Sequence, residues 1–258
     1  MKLTFNPIHV LLCLFLTGCS VLSRPSPGTA TPRPPTETPF LSPTVIWFPP
    51  TQTPTLSPLT ELATATPDYK PGLGKTLYSD DFKSPEKWSD LGTDYIRDGK
   101  LTLAASNGIY LMSLNQELVV SDFYAEVIIH LNLCRTTDEY GILVRAIPAS
   151  YYRFTLNCKG EINADRITNQ SRTPLKQPYP TMDAPRGSPS EVKIGLWAVG
   201  REMRFFLNDF YQFSVSDPVM PDGSIGFFVR ASENSPVTIS FSDLLIRQIN
   251  PNQASQIP

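Results

Sequence analysis

From about residue 72 to residue 249 the chain runs in short apolar stretches broken by polar punctuation, at a period that suits strands and not helices. The plainest alternation is Val192-Lys193-Ile194-Gly195-Leu196, whose first, third and fifth residues share one face. Trp197 comes next and is therefore expected on the opposite face. The predicted strands are Thr76–Phe82, Lys100–Ala104, Gly108–Leu114, Phe123–Leu133, Gly141–Ile147, Tyr151–Asn157, Glu161–Thr168, Glu191–Ala198, Glu202–Leu207, Tyr211–Val215, Ser224–Arg230 and Val237–Ile249. Asp98-Gly99, Lys159-Gly160, Asn208-Asp209 and Asp222-Gly223 mark turns between them. Short strands without helices predict an all-β, two-sheet antiparallel β-sandwich of jelly-roll type, with one core between the sheets. The predicted domain spans residues 72–250, and residues 251–258 form a frayed tail.

Upstream the pattern dissolves. Half of the 26 prolines fall between Arg24 and Pro71, among many serines and threonines. Proline lacks the amide donor that helix and sheet interiors need, so the segment is expected to be an extended, solvated stalk. Val45-Ile46-Trp47-Phe48 interrupts it, either as a sticky spot that folds onto the domain or as a docking motif. Before the stalk stand Lys2, an apolar run from Val10 to Leu16, and small residues, which is the layout of a secretory signal. The run is too short to span a bilayer as a helix, which takes roughly 20 residues. Leu16-Thr17-Gly18-Cys19 resembles the lipobox of bacterial lipoproteins. That resemblance implies removal of residues 1–18, acylation of Cys19, and a stalk over 19–71 that holds the protein outside the cytoplasm on a membrane. Acyl chains anchor durably because each buried methylene contributes about 0.8 kcal/mol.

Composition narrows the chemistry. The 258-residue chain has a formal charge of -2 with no block of one sign, which argues against nucleic acid as the main partner. Removing the signal and acylating Cys19 leaves Cys134 and Cys158. Outside the cytoplasm these two are expected to pair if their geometry permits, or otherwise to remain buried thiols. His9 leaves with the signal, so His130 alone remains. A multi-histidine zinc site is excluded, and a Ser-His-acid triad would have to use His130.

The order of motifs is informative: Asp80-Asp81-Phe82, Trp88, Asp98-Gly99-Lys100-Leu101, Asp122 to Val127, Tyr140 to Arg145, Tyr151-Tyr152-Arg153-Phe154, Cys158-Lys159-Gly160, Gly223 to Phe227 and Phe241-Ser242-Asp243. It resembles the concanavalin A-like (laminin-G-like) jelly rolls, and within them the 3-keto-disaccharide hydrolase-like or laminarinase-like group. The resemblance covers roughly residues 73–249. It implies lectin, hydrolase or protein-binding activity without choosing among them. It also implies a structural calcium between the first and last strands, for which Asp80, Asp81 and Asp243 are the candidates. The Glu-x-Asp-x-Glu strand of the retaining β-glucanases in this superfamily is missing from the sequence, so ordinary two-carboxylate hydrolysis on that template is not expected.

The candidate ligand-binding residues are Arg145, Tyr151, Tyr152, Arg153, Trp197, Phe206 and Tyr211, on strands expected to build the concave sheet. Aromatic rings stack on the C–H faces of sugars while guanidinium groups satisfy hydroxyls. Tyr151 and Tyr152 cannot both point the same way. The expected function is a surface-anchored, non-catalytic module binding carbohydrate or another envelope polymer. A hydrolase of 3-keto sugars and a protein-interaction or sensor module are the alternatives.

Overall fold

The computed structural model describes residues 67–89, 95–232, 236–250 and 252. The predicted signal, Cys19, the Val45–Phe48 patch and nearly all of the tail lie outside them. The chain divides into Met1–Leu62, also outside, and Ala63–Pro258, which holds the sandwich. Among the described residues no helix is long and apolar enough to cross a membrane.

Among the described residues fourteen strands follow one another: β1 (Leu73–Asp80), β2 (Ile96–Arg97), β3 (Lys100–Ala105), β4 (Tyr110–Leu114), β5 (Phe123–Leu133), β6 (Glu139–Ile147), β7 (Ser150–Asn157), β8 (Glu161–Thr168), β9 (Ser171–Pro180), β10 (Ser190–Val199), β11 (Glu202–Leu207), β12 (Phe210–Ser216), β13 (Ser224–Arg230) and β14 (Val237–Ile249). The eight-stranded sheet is ordered β12-β11-β10-β5-β14-β3-β2, with β1 also paired to β14. The six-stranded sheet is ordered β4-β13-β6-β7-β8-β9. The pairings are antiparallel throughout, as the short strands and turn signals predict.

Two strands escape the sequence pattern. β2 has only two residues, too few to show a period. β9 carries Pro174, Pro178 and Pro180, which demote it as a strand candidate, yet it forms the sheet edge, where a missing amide donor costs least. β14 is long because it serves two neighbours. Its first half pairs with β3 and its second with β1, and the register shifts between Ser242 and Leu245. Asp243 sits in that bulge at φ +54°, a left-handed conformation that aspartate tolerates better than most residues.

The core is the inner face of both sheets: Val127, Ile129, Ile194, Leu196 and Phe241 on one side, Ile142, Val144, Phe154, Leu156 and Phe227 on the other. Phe154 stacks on Phe205 at 5.4 Å, and Phe227 on Phe241 at 4.4 Å. Burying each such ring contributes about 1.5–3 kcal/mol. Cys134, just after β5, is bonded to Cys158, just after β7, with Cα atoms 5.7 Å apart. This link joins the two sheets. Gly141 in β6 is required by close approach, since a Cβ there would lie 2.0 Å from the carbonyl oxygen of Phe154.

Candidate functional site

Alternation along β7 divides it cleanly. Tyr152, Phe154 and Leu156 join the core, so Tyr151, Arg153 and Thr155 lie on the outer face of the six-stranded sheet. β13 likewise turns Phe227 and Val229 inward and Phe228 and Arg230 outward. Register then assembles the outward residues: Arg230 lies opposite both Tyr110 of β4 and Glu139 of β6, and Arg153 lies opposite Leu143. The result is a cleft of about 590 Å³ lined by Tyr110, Met112, Ala149, Tyr151, Arg153, Ile167, Gln170 and Arg230. Other clefts, of about 450, 420 and 320 Å³, carry no aromatic ring.

Beneath the cleft lies a charged network. Arg153, only 7% exposed, donates to Asp165 (2.9 Å). Arg172 donates to the other Asp165 oxygen (2.8 Å), and Asn163 adds a third bond (3.0 Å). Burial opposes the Arg153 charge, but the hydrogen bond to Asp165 and the field of Glu139 hold its pKa above the ordinary guanidinium value. Arg153 also lies over the Phe228 ring at 5.4 Å, and Tyr110 stacks on that ring at 5.4 Å. Burial, and next the neighbouring Tyr151 hydroxyl, push the Tyr110 pKa far up, so its hydroxyl stays protonated.

Several polar atoms on this face are buried without a hydrogen-bond partner: the Tyr110 hydroxyl, Glu139 Oε2, Arg153 Nε and Thr155 Oγ1. Glu139 lies 3.9 Å from Arg153 and 3.7 Å from Arg230, too far for a hydrogen bond. A buried polar atom without a partner typically costs about 1–3 kcal/mol. Two of the four, the Tyr110 hydroxyl and Arg153 Nε, belong to residues that line the cleft.

Of the seven predicted ligand residues, only Tyr151 and Arg153 reach this cleft. Arg145 is fully buried at φ +49°, where a bulge between Val144 and Ile147 breaks the alternation. Its guanidinium donates to the carbonyls of Ser121 (2.9 Å) and Met220 (3.3 Å), so it ties loops together. Burial pulls its pKa down. Tyr152 belongs to the core. Its hydroxyl donates to Asp217 Oδ1 (2.6 Å) and accepts from the Met220 amide (3.1 Å), and burial with the Asp217 bond raises its pKa to about 12.

Trp197, Phe206 and Tyr211 form a second aromatic patch with Tyr124, on the outer face of the eight-stranded sheet. Trp197 faces away from the core, as alternation predicts, yet it is 2% exposed. The chain just before β1 covers it. Trp197 Nε1 donates to the Pro71 carbonyl (3.0 Å), the Tyr69 ring stacks on Tyr211 at 4.2 Å, and Arg204 donates to the Tyr69 carbonyl (3.1 Å). Lys70 sits 5.1 Å from the Tyr124 ring and 4.9 Å from Phe206, and pairs with Asp209 (2.8 Å). Gly195 leaves room for this layer, since a Cβ there would meet the Tyr124 hydroxyl at 2.7 Å. The packed domain therefore starts before residue 72.

Asp80, Asp81 and Asp243 do line one cleft, of about 420 Å³. Two of these carboxylates, Asp80 and Asp81, are already engaged by protein donors. Asp80 is 5% exposed and accepts from the Phe82 amide (2.7 Å), the Tyr78 hydroxyl (2.7 Å) and Trp88 Nε1 (3.0 Å), while Asp81 pairs with Lys83. Calcium takes six to eight oxygens, and among the described residues no group of three His, Cys, Asp or Glu side chains is placed to hold a metal ion. His130 contacts Ser242 through Nε2 (2.9 Å) and Glu191 through Nδ1 (3.0 Å). A Ser-His-acid triad needs in addition a pair of oxyanion donors and room for a carbonyl carbon. These contacts supply the hydrogen bonds alone, and Ser242 is 6% exposed.

Sequence reasoning missed Tyr110, Glu139, Asp165 and Arg230. The available signal was the alternation Tyr110-Leu111-Met112 and Phe228-Val229-Arg230, which places an aromatic and a long side chain on one face of each strand. Their convergence depends on which strands are neighbours.

No protein-family model matches the chain, and no curated protein matches it by sequence. Solved structures do match in fold. A Bacillus subtilis protein of unknown function with a galectin-like fold superposes with a TM-score of 0.51 at 14% identity, covering 69% of this chain and 98% of the other. The catalytic domain of an endo-1,3-β-glucanase (laminarinase) from Thermotoga petrophila gives 0.51 at 8% identity, covering 72% and 100%. LamA of Z. galactanivorans, in complex with laminaritriose and laminaritetraose, gives 0.51 at 13% identity, covering 68% and 100%. The chain thus has the jelly-roll fold of galectin-like and laminarinase structures, and at these identities the likeness concerns the fold.

Proposed function

We propose that the protein is a membrane-tethered, non-catalytic module that binds an envelope or environmental glycan through the Tyr110–Tyr151–Arg153–Arg230 cleft. The observation that carries this reading is the meeting of the Tyr110 and Tyr151 rings with the Arg153 and Arg230 guanidinium groups at one open cleft. Rings stack on pyranose faces, and guanidinium groups donate to hydroxyls. Fold neighbours that act on or hold glucans support it. The lipobox-like Cys19 and the stalk would set the module away from the membrane. A glycan array probed with the full chain tests the reading. Binding to at least one polysaccharide is expected, weakened tenfold or more by Tyr151→Ala with thermal stability retained. Absence of binding to every glycan, or a Tyr151→Ala signal equal to wild type, overturns it.

A second reading has one specific observation behind it. Glu139 Oε2 is buried with no hydrogen-bond donor, beside two guanidinium groups. On a 3-keto glycoside, Glu139 would remove the acidic proton next to the ketone. A guanidinium group would polarise the carbonyl, and the glycosidic oxygen would leave with a proton from solvent. Product release from a 3-keto-glucoside, abolished in Glu139→Gln, would establish it.

A further inference from the structure

The charge around the cleft is unbalanced. Arg153, Arg172 and Arg230 face two carboxylates, Asp165 and Glu139. Asp165 is fully buried and bonded to Arg153, Arg172 and Asn163, so it has no oxygen to offer a ligand. Arg153 is paired with Asp165, and among the described residues Glu139 is the one carboxylate near Arg230; it stands beyond hydrogen-bond reach of both guanidinium groups. Among the described residues Arg153 Nη1 finds Glu139 no nearer than 3.9 Å, and the Arg230 side chain, about half exposed, donates no hydrogen bond. The cleft therefore has guanidinium N–H groups to spare and a local excess of positive charge, in a chain whose formal charge is -2. Guanidinium forks match planar carboxylates in geometry and charge. Neutral sugars offer no such acceptor.

Resting on the glycan-binding reading above, we propose that the cleft selects an acidic sugar, a uronate, whose carboxylate bridges Arg153 and Arg230 while Tyr110 and Tyr151 contact its ring. Glu139 limits affinity by repulsion and favours a sugar hydroxyl beside the carboxylate.

The test is an array carrying galacturonan, alginate and hyaluronan, a methyl-esterified galacturonan, neutral β-1,3-glucan and dextran sulfate, probed with the full chain at low and high salt. At least one uronate polymer is expected to bind at least tenfold more tightly than the neutral glucan, with the signal falling as salt rises. If galacturonan is the polymer bound, esterification removes the binding. Arg230→Gln, at a half-exposed position, should lower uronate binding tenfold or more without changing thermal stability. Glu139→Gln should raise it. Preference for the neutral glucan, or an Arg230→Gln variant that binds uronates like wild type, overturns the uronate assignment and leaves glycan binding standing. Binding to dextran sulfate alone also overturns it, since bulk anion attraction then suffices. Silence on every glycan removes both readings.

Discussion

The outer faces of the two sheets carry similar side chains, aromatic rings beside arginines, and their surroundings differ. On the eight-stranded sheet, Trp197, Phe206, Tyr124 and Tyr211 are covered by Tyr69, Lys70 and Pro71, and the Trp197 indole N–H has its acceptor. On the six-stranded sheet, Tyr110, Tyr151, Arg153 and Arg230 border an open cleft, and polar atoms there lack partners. An outward aromatic ring on a sheet is thus no sign of a ligand groove until one knows what lies over it. What lies over the ring separates the two cases better than residue type does: the entering chain on one face, open solvent on the other.

The largest effect expected from this contrast is at Trp197. Trp197→Ala should lower unfolding free energy by about 3–5 kcal/mol, as for a buried tryptophan, measured by chemical denaturation. Glycan binding by the folded fraction should be unchanged. Unchanged stability with lost binding would reverse the roles of the two faces. Replacing Cys134 and Cys158 with alanine cuts a link between the sheets and should cost about 3 kcal/mol in the chain-entropy model, again with the cleft's specificity intact. Lys70→Met keeps the side-chain length but removes the cation from the Tyr124 and Phe206 rings and from Asp209. A loss of about 1–2 kcal/mol is expected, and the thermal midpoint reads it directly. A loss of binding in Lys70→Met at unchanged stability would instead make the covered patch functional.

The smallest effect is a pH response confined to the eight-stranded sheet. Burial, then the Lys100 charge, holds the His130 pKa below its ordinary value, against the opposing pull of Glu191 and Asp243. The unfolded chain therefore takes up a proton first as pH falls. The stability from neutral His130 is complete above the unfolded value of about 6.5 and is lost as pH drops through the lower folded value. A thermal midpoint that declines between pH 7 and pH 5, with the decline reduced in His130→Gln, is the expected result. The Arg153 guanidinium, held above its ordinary value, does not titrate in that window.

Alternation was legible wherever a strand ran unbroken. It separated Tyr151 from Tyr152 and turned Trp197 away from Leu196, and both assignments hold in the structure. It failed at Arg145, because the bulge after Val144 depends on how β7 and β13 pair with β6. It also failed at β9, whose prolines are tolerable only at an edge. The cover over Trp197 comes from a residue 126 positions earlier, in a stretch that reads as solvated stalk. No local pattern announces such a contact.

Period-two hydrophobicity and turn residues, read along the chain, were enough to define an all-β sandwich and the inward set of most strands, because burial on one face acts residue by residue. Strand order, register and the path of the entering chain decided which outward side chains meet, which are covered and which keep free hydrogen-bonding groups. Those outcomes rest on contacts between distant segments, whose free energy is shared among many residues and written in none of them alone.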